Sequence, residues 1–533
     1  METGRIGHIG CCANSLWQGK LIWTFMRPRH YPVPQPTIVS PGLRAVDVQV
    51  YTICEYLTAG LIYFMVVFSP WAFGATQPWS IWTMNVSGYA AGSLLFMKWF
   101  IRRKGYLQPC WVSLSSAAGS SALISRRLKQ TLGCLTLLIL GFCVISATNS
   151  AATQDPAALT FTYHQHLNWL PHSFDSRRTW LAFFNYAALA CTFWAIVDWL
   201  PGKSAGEERA TRQQSLSKGS TPLIPTRLRR LLWILCLNGA LVGVEGIIQR
   251  LEGSGRLLFL IKPAINSEAL SQFGPYHYRA NASAYFNLIW PVCLAFWWTL
   301  HRAADSRQRK HHLLLLCGLI MAACPIISTS RAGALITFSL IVLSAFFLCA
   351  THLLATERRN REPKRKFTFR FLLFFFAGTL ALGLLLGWKA LKPRLGQIQE
   401  GFVGREEMYD AARPMARDYP FFGTGPGTFE SVFQLYRIST ETYWPAQLHN
   451  DWLETRITFG MIGSALIFLA FVTVLVRWFA ANGLHGGRRF MVLLWLAMGS
   501  ALIHARFDFP FQIYSILFLF LVLCAIAFNL SRR

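Results

Sequence analysis

The chain has 533 residues, 53% hydrophobic and only 14% charged, where an ordinary soluble protein carries about a quarter charged. Mean hydropathy is +0.35, Phe and Trp number 41 and 20, and apolar runs long enough to cross a hydrocarbon core of about 30 Å recur from residue 52 to the C-terminal end. A soluble enzyme, a disordered chain, a collagen-like repeat and a disulfide scaffold are excluded, which leaves an all-α polytopic membrane protein.

In chain order, residues 1–50 carry charge and proline (Pro28, Pro32, Pro34, Pro36) rather than the short apolar core of a signal peptide, and read as a cytoplasmic N-terminal tail. The apolar runs then predict about twelve spans, near 52–74, 80–100, 130–148, 179–200, 230–248, 284–301, 313–329, 332–352, 371–388, 459–480, 490–505 and 512–530. The net charge of +27 sits in alternate loops between them. Arg102, Arg103 and Lys104 belong to one, Lys203, Arg227 and Arg230 to the next, and Arg358, Arg359, Arg361, Lys364 and Lys366 to the densest. This is the positive-inside pattern, so the charge is assigned to topology and the lipid surface rather than to nucleic acid, and both termini are expected in the cytoplasm. The 13 cysteines fall mostly inside apolar runs, and no CxxC or Cys/His ligand spacing appears, so no metal or other cofactor is expected.

The same assignment turns 149–178, 249–283, the turn at Ser330–Arg331, 389–458 and Arg506–Phe511 outward. The stretch 389–458, between spans nine and ten, is too long for a connector and mixes aromatics, glycine and both charge signs, so it is expected to form a folded outer cap carrying the chemistry. His449 precedes Asp451 and Glu454, which together read as a helix start of the capping-box kind. At a helix N-terminus the macrodipole disfavours the imidazolium and favours the neutral ring that a general base needs. An interfacial histidine bonded to the cap is the alternative. The alternating glycines Gly423, Gly425 and Gly427 allow close backbone approach to an anion or to another segment of chain; without a GK[ST] ending they are no Walker loop. Arg331 follows Ser330, which can cap the next helix, so a guanidinium and a helix N-terminus point at one place, suited to an anion. Arg405 has Glu406 and Glu407 beside it as alternative partners, Arg279 could equally snorkel to headgroups, and Glu245 lies near the outer end of the fifth span. No DxD-type carboxylate pair is present to hold a divalent ion on a sugar nucleotide. Together these residues suggest a reaction outside the cytoplasm on a phosphorylated, membrane-bound donor.

Several segments resemble the O-antigen ligase/polymerase family. They are Arg405-x-x-Met408-Tyr409-Asp410, Asp418-Tyr419-Pro420-Phe421-Phe422-Gly423-Thr424-Gly425-Pro426-Gly427, His449-Asn450-Asp451-Trp452-Leu453-Glu454 and Gly460-Met461-Ile462-Gly463. Phe273-Gly274-Pro275-Tyr276, Ser330-Arg331-Ala332-Gly333 and His504-x-x-x-Asp508-Phe509-Pro510 are similar in the same order. The resemblance covers 270–530 and implies a GT-C-like glycosyltransferase of the bacterial inner membrane, divided into N-terminal transmembrane helices over 51–248 and a ligase-like domain over 249–530. It implies a metal-independent, inverting transfer of a glycan from undecaprenyl pyrophosphate to an acceptor hydroxyl on the periplasmic face, in ligases that of lipid A–core. By resemblance, Arg331 and Arg405 bind the pyrophosphate and His449 is the essential histidine, with Arg279, Gly423, Gly425, Gly427 and Asp451 as supporting residues. Trp452 stands where the family commonly has tyrosine, and Arg456 where the following helix is usually apolar or acidic. A polymerase extending a growing glycan shares the pattern. A transporter without chemistry would instead pair ionisable residues in mid-membrane and repeat one half of the chain in the other.

Overall fold

The computed structural model describes residues 45–105, 119–202, 224–303, 310–354, 363–437, 446–480, 484–485 and 487–531. Nearly all of the expected N-terminal tail, and much of the densest basic loop, lie outside the described residues. Among the described residues there are fourteen α-helices: α1 (Ala45–Trp71), α2 (Pro78–Gly105), α3 (Gly119–Thr148), α4 (Ser176–Trp199), α5 (Thr226–Glu252), α6 (Arg279–Ala303), α7 (Leu313–Ile327), α8 (Arg331–Leu354), α9 (Pro363–Gly396), α10 (Ile398–Asp418), α11 (Phe429–Val432), α12 (Asp451–Ala480), α13 (Arg488–His504) and α14 (Tyr514–Asn529). Two short ribbons accompany them, β1 (Ala152–Asp155) antiparallel to β2 (Thr160–Tyr163), and β3 (Leu484–His485) parallel to β4 (Leu530–Ser531).

A helix occupies each of the twelve expected spans, but eight helical segments (α1, α3, α4, α5, α7 together with the turn Lys310–His312 that leads into it, α8, α9 and α12) are long and apolar enough to cross a membrane by themselves. The others fall short for physical reasons. Lys98, Arg102, Arg103 and Lys104 lower α2, while α13 and α14 have only 17 and 16 residues. Helix α6, whose apolar run is interrupted by Asn287 and Pro291, is surrounded by protein. Nearly every residue from Ala280 to Trp298 is buried, against α7, α8 and α13 among others. Its Asn287 accepts from Thr337 (2.7 Å) and Trp290 (3.2 Å) and donates to the Gly333 carbonyl (3.1 Å), so the buried amide is satisfied. One apolar core runs through helices of both halves, including Ile62, Ile196, Leu231, Trp290, Leu494 and Leu523.

Two cations counted with the basic loops are turned inward. Arg102 forks onto Asp198 (2.6 and 2.7 Å), Lys98 bridges Asp198 and Glu55 at 2.9 Å each, and Arg227 bonds Glu55. Asp198 lies at the end of α4 and Arg227 at the start of α5, so this network is at the helix ends rather than in mid-membrane. Its net stabilisation is small, since desolvation offsets the attraction, but removing one partner would strand a buried charge.

The expected outer loop is largely helical at its beginning, because α9 runs on to Gly396 and α10 follows almost at once. Helix α10 is amphipathic. Tyr409, Ala412 and Met415, three residues apart, bury against Phe429, Val432, Phe433, Leu448 and Ile457, while Arg413 pairs outward with Glu406 and Asp410. The cap thus has its own small core over one end of the bundle. It is anchored to α4 as well. Arg178 pairs with Glu430 at 2.5 Å, Ser431 donates to Asp175 (2.7 Å) and Thr179 to the Pro426 carbonyl (2.9 Å).

Candidate active site

The start of α12 differs by one residue from the sequence expectation. Asn450, not Asp451, is the cap: its side-chain oxygen accepts from the Leu453 amide (3.2 Å), and Glu454 reaches back to the Leu448 amide (2.9 Å). Asp451 is the first helical residue and serves a different purpose. Its amide donates to the Ala505 carbonyl (2.8 Å) and its carboxylate accepts from the Phe511 amide (2.8 Å), which clamps the turn 505–511 against the helix start. That turn carries Asp508.

His449 has φ 58°, a left-handed conformation unusual for a residue with a Cβ, and Tyr409 donates its hydroxyl to the His449 carbonyl at 2.8 Å. The Nδ1 atom lies 3.0 Å from Oδ1 of Asp508. Tyr278 donates to the other carboxylate oxygen (3.2 Å), where Arg405 Nη2 also approaches to 3.4 Å. Arg405 donates in addition to the Phe507 carbonyl. One buried carboxylate therefore joins the histidine to an arginine. Burial alone would raise the pKa of Asp508, but the His449 hydrogen bond and the Arg405 charge outweigh it and hold the carboxyl down at about 2. Burial likewise works against the Arg405 charge, and Asp508 overcomes it, so the guanidinium pKa is raised. An ionised Asp508 only accepts, so Nδ1 of a neutral His449 carries the proton and Nε2 keeps its lone pair. The ring edge is fixed by Phe509 (4.7 Å between centroids, 76°) and Tyr278 (5.9 Å, 74°), which stack on each other. The helix N-terminus considered from sequence is thus only half of the electrostatics at this ring; the Asp508 carboxylate acts in the opposite sense.

Beside this triad opens a cavity of about 480 Å³, and Arg279, Arg331, Arg394 and Arg405 all line it with Tyr278 and Asp508, above apolar walls that include Leu335, Leu340 and Leu343. Ser330 caps α8 by accepting from the Gly333 amide (3.2 Å), as its position suggested. Arg331 donates to the Gln397 carbonyl (2.6 Å), tying α8 to the start of the cap, and Arg279 to Leu270 (2.5 Å). Among the described residues that line the cavity, four guanidiniums and one carboxylate meet, a lining suited to an anion. The structure brings together Arg279, Arg331, Arg405 and His449 as sequence-selected residues. Asp508 and Arg394 were not selected as site residues. Asp508 was visible as part of a family-like segment, whereas Arg394, in the last turn of a long apolar helix, reads from sequence as an interface cation.

The glycines are elsewhere. Gly423, Gly425 and Gly427 have φ of 73°, 109° and 77° and form a backbone plug in a break of α12 at Gly460. The amides of Gly423, Thr424 and Gly425 are spent on the carbonyls of Tyr419, Ile457 and Thr458 (3.2, 2.9 and 3.0 Å). Of the two uses that their spacing allowed, this is approach to another stretch of chain. Glu245 lies beside Gly274, outside the arginine cavity.

Residues 316–468 match the family model for O-antigen ligase. The chain is similar to that family over this segment. The match begins within α7 and ends within α12, so it takes in Arg331, Arg394, Arg405, the glycine plug and His449, while Arg279 and Asp508 lie outside it. No curated protein shows significant similarity to the chain. The matched segment shares its cavity and its core with helices on both sides of it.

Proposed function

We propose that the protein is a GT-C-like inner-membrane glycosyltransferase of twelve spans, with cytoplasmic termini, that moves a glycan from undecaprenyl pyrophosphate to an acceptor hydroxyl at the periplasmic face. The observation that carries this reading is the single buried carboxylate of Asp508, bonded to His449 through one oxygen and meeting Arg405 through the other at the edge of the arginine cavity. Arg331 and Arg405, assisted by Arg279 and Arg394, hold the pyrophosphate, and the apolar walls below take the first part of the polyprenyl chain. His449 Nε2 removes the acceptor proton as the hydroxyl oxygen attacks the anomeric carbon. The bond from that carbon to the pyrophosphate oxygen breaks on the opposite face, giving inversion, and the arginines stabilise the leaving charge without a metal. Asp508 orients the ring and stabilises the imidazolium that forms.

A second cavity of about 550 Å³ adjoins the same helix start, with Asp451, Trp452, Arg456 and Gln512 at its polar end and apolar residues of α3, α4, α12 and α14 below. It suits a lipid-anchored acceptor, and we take ligation to lipid A–core as the first reading and repeat-unit polymerisation as the second. Arg456, unusual for the family, is held by the Pro420 carbonyl at 2.6 Å there. The test is a gene deletion with resolution of surface glycolipids, combined with purified His449→Gln enzyme. Loss of capped lipid A–core with accumulation of long lipid-linked chains, and a Gln variant as inactive as His449→Ala, are expected. Loss of long chains everywhere would instead mark a polymerase, and near-normal turnover by His449→Gln would remove the histidine from the chemistry.

A further inference from the structure

We propose that His301, His311 and His312 form a binding site for a divalent transition-metal ion of the zinc class, remote from the His449–Asp508 site. Helix α6 begins at Arg279 in the arginine cavity and carries His301 in its last turn, so the two sites are separated by about 33 Å along the helix at 1.5 Å per residue. His311 and His312 belong to the tight turn Lys310–His312 that leads into α7. The ring nitrogens of the three histidines that face one another lie within 4.8 Å, and His301 Nδ1 is 3.2 Å from His311 Nε2. A tetrahedral ion about 2.0–2.1 Å from each nitrogen spaces its ligands by roughly 3.3 Å, so the His301–His311 pair already has the required separation and His312 lies within 4.8 Å of it.

Two features support a ligand role over accidental crowding. First, the rings are walled in: Trp297 stacks on His301 (5.0 Å, 13°) and Phe371 of α9 stacks on His312 (4.3 Å, 21°), so α6 and α9 both fix the ring planes. Second, the ring centroids of His311 and His312 are 4.1 Å apart and His301 lies 5.4 and 5.6 Å from them. Ligation through His301 Nδ1 and His311 Nε2 requires the proton between them to move to the far nitrogen of its own ring, with no other change in bonding. An all-imidazole set selects zinc, cobalt, nickel or copper over magnesium or calcium, and three protein ligands leave a fourth position for water. The sequence did not suggest this because His301 and His311 are separated by a loop that matches no metal motif.

The experiment uses full-length protein purified in detergent without a polyhistidine tag and titrated with Co²⁺. One equivalent should generate a visible d–d absorption band that one equivalent of Zn²⁺ abolishes, and Zn²⁺ should raise the midpoint of thermal unfolding. His311→Ala and, as a milder variant that keeps the ring space filled, His301→Gln should each lose the band and the thermal shift. His449→Ala should retain both. The site is overturned if wild-type protein gives no saturable one-equivalent band, or if either folded triad variant gives the wild-type titration.

Discussion

Replacing Asp508 by Asn tests the centre of the proposed mechanism with a change of one atom type. The carboxylate accepts from His449 on Oδ1 and from Tyr278 on Oδ2, where Arg405 also approaches. An amide cannot satisfy both sides. With its oxygen toward His449, its NH₂ faces Arg405, donor against donor. Reversed, the NH₂ faces Nδ1 and forces the tautomer in which Nε2 carries the proton, which removes the base. The drop of the Asp508 pKa from the ordinary value near 3.9 to about 2 corresponds to roughly 2–3 kcal/mol favouring the charged form within this cluster. Loss of a positioned general base costs about 10²–10⁴-fold, so kcat should fall by that amount in Asp508→Asn. Donor KM should hold or decrease, because the arginine cavity becomes more positive. The assay is turnover of lipid-linked glycan onto acceptor glycolipid by purified enzyme, read on a gel, with circular dichroism to verify folding. The sign of the pH effect follows from the depressed pKa: the stabilisation is complete above about pH 4 and disappears as pH falls toward 2. Any acidic loss of turnover between about pH 5 and 8 therefore comes from protonation of a group other than Asp508. A folded Asp508→Asn enzyme within about threefold of wild-type kcat would refute the orienting role.

Arg331→Ala and Arg405→Ala should abolish transfer while the protein still inserts, and Lys at either position should restore only part, since a point charge cannot reproduce the guanidinium fork; donor binding by the purified variants measures this. Gly460→Ala should cost about 2–4 kcal/mol, because φ 63° and ψ −166° belong to a region that only glycine enters readily and a Cβ would collide with the Phe421 carbonyl. Its thermal midpoint and yield should fall even though the residue touches no proposed ligand. In a background freed of native thiols, Trp169→Cys on the cap side should react with an impermeant reagent in intact cells, and Arg370→Cys at the opposite end of the bundle should not. The reverse labelling would place the site in the cytoplasm.

Much of the architecture is readable in the sequence, because helices and their ends are specified by residues a few positions apart. Apolar runs located a helix for every expected span, Ser330 announced the start of α8, and His449 was placed just before α12, with only the capping residue displaced from Asp451 to Asn450. Local composition also misled in definable ways. Arg102 and Arg227 read as loop cations because sequence shows their charge but not Glu55 and Asp198 on other helices, and the apolar run of α6 reads as a lipid-facing span because sequence does not show that protein surrounds it. The site depends still more on long-range contact. Asp508 meets His449 across 59 residues, Arg394 joins Arg331 from another helix, and the glycine plug finds its receptor at Gly460. Sequence by itself determined the membrane class, the helix positions and most of the residues capable of chemistry. Only the tertiary structure decided which carboxylate serves the histidine, which arginines share a cavity, and that the glycines hold backbone instead of an anion, since each of these is a pairing between distant segments whose energy exists only when the helices pack.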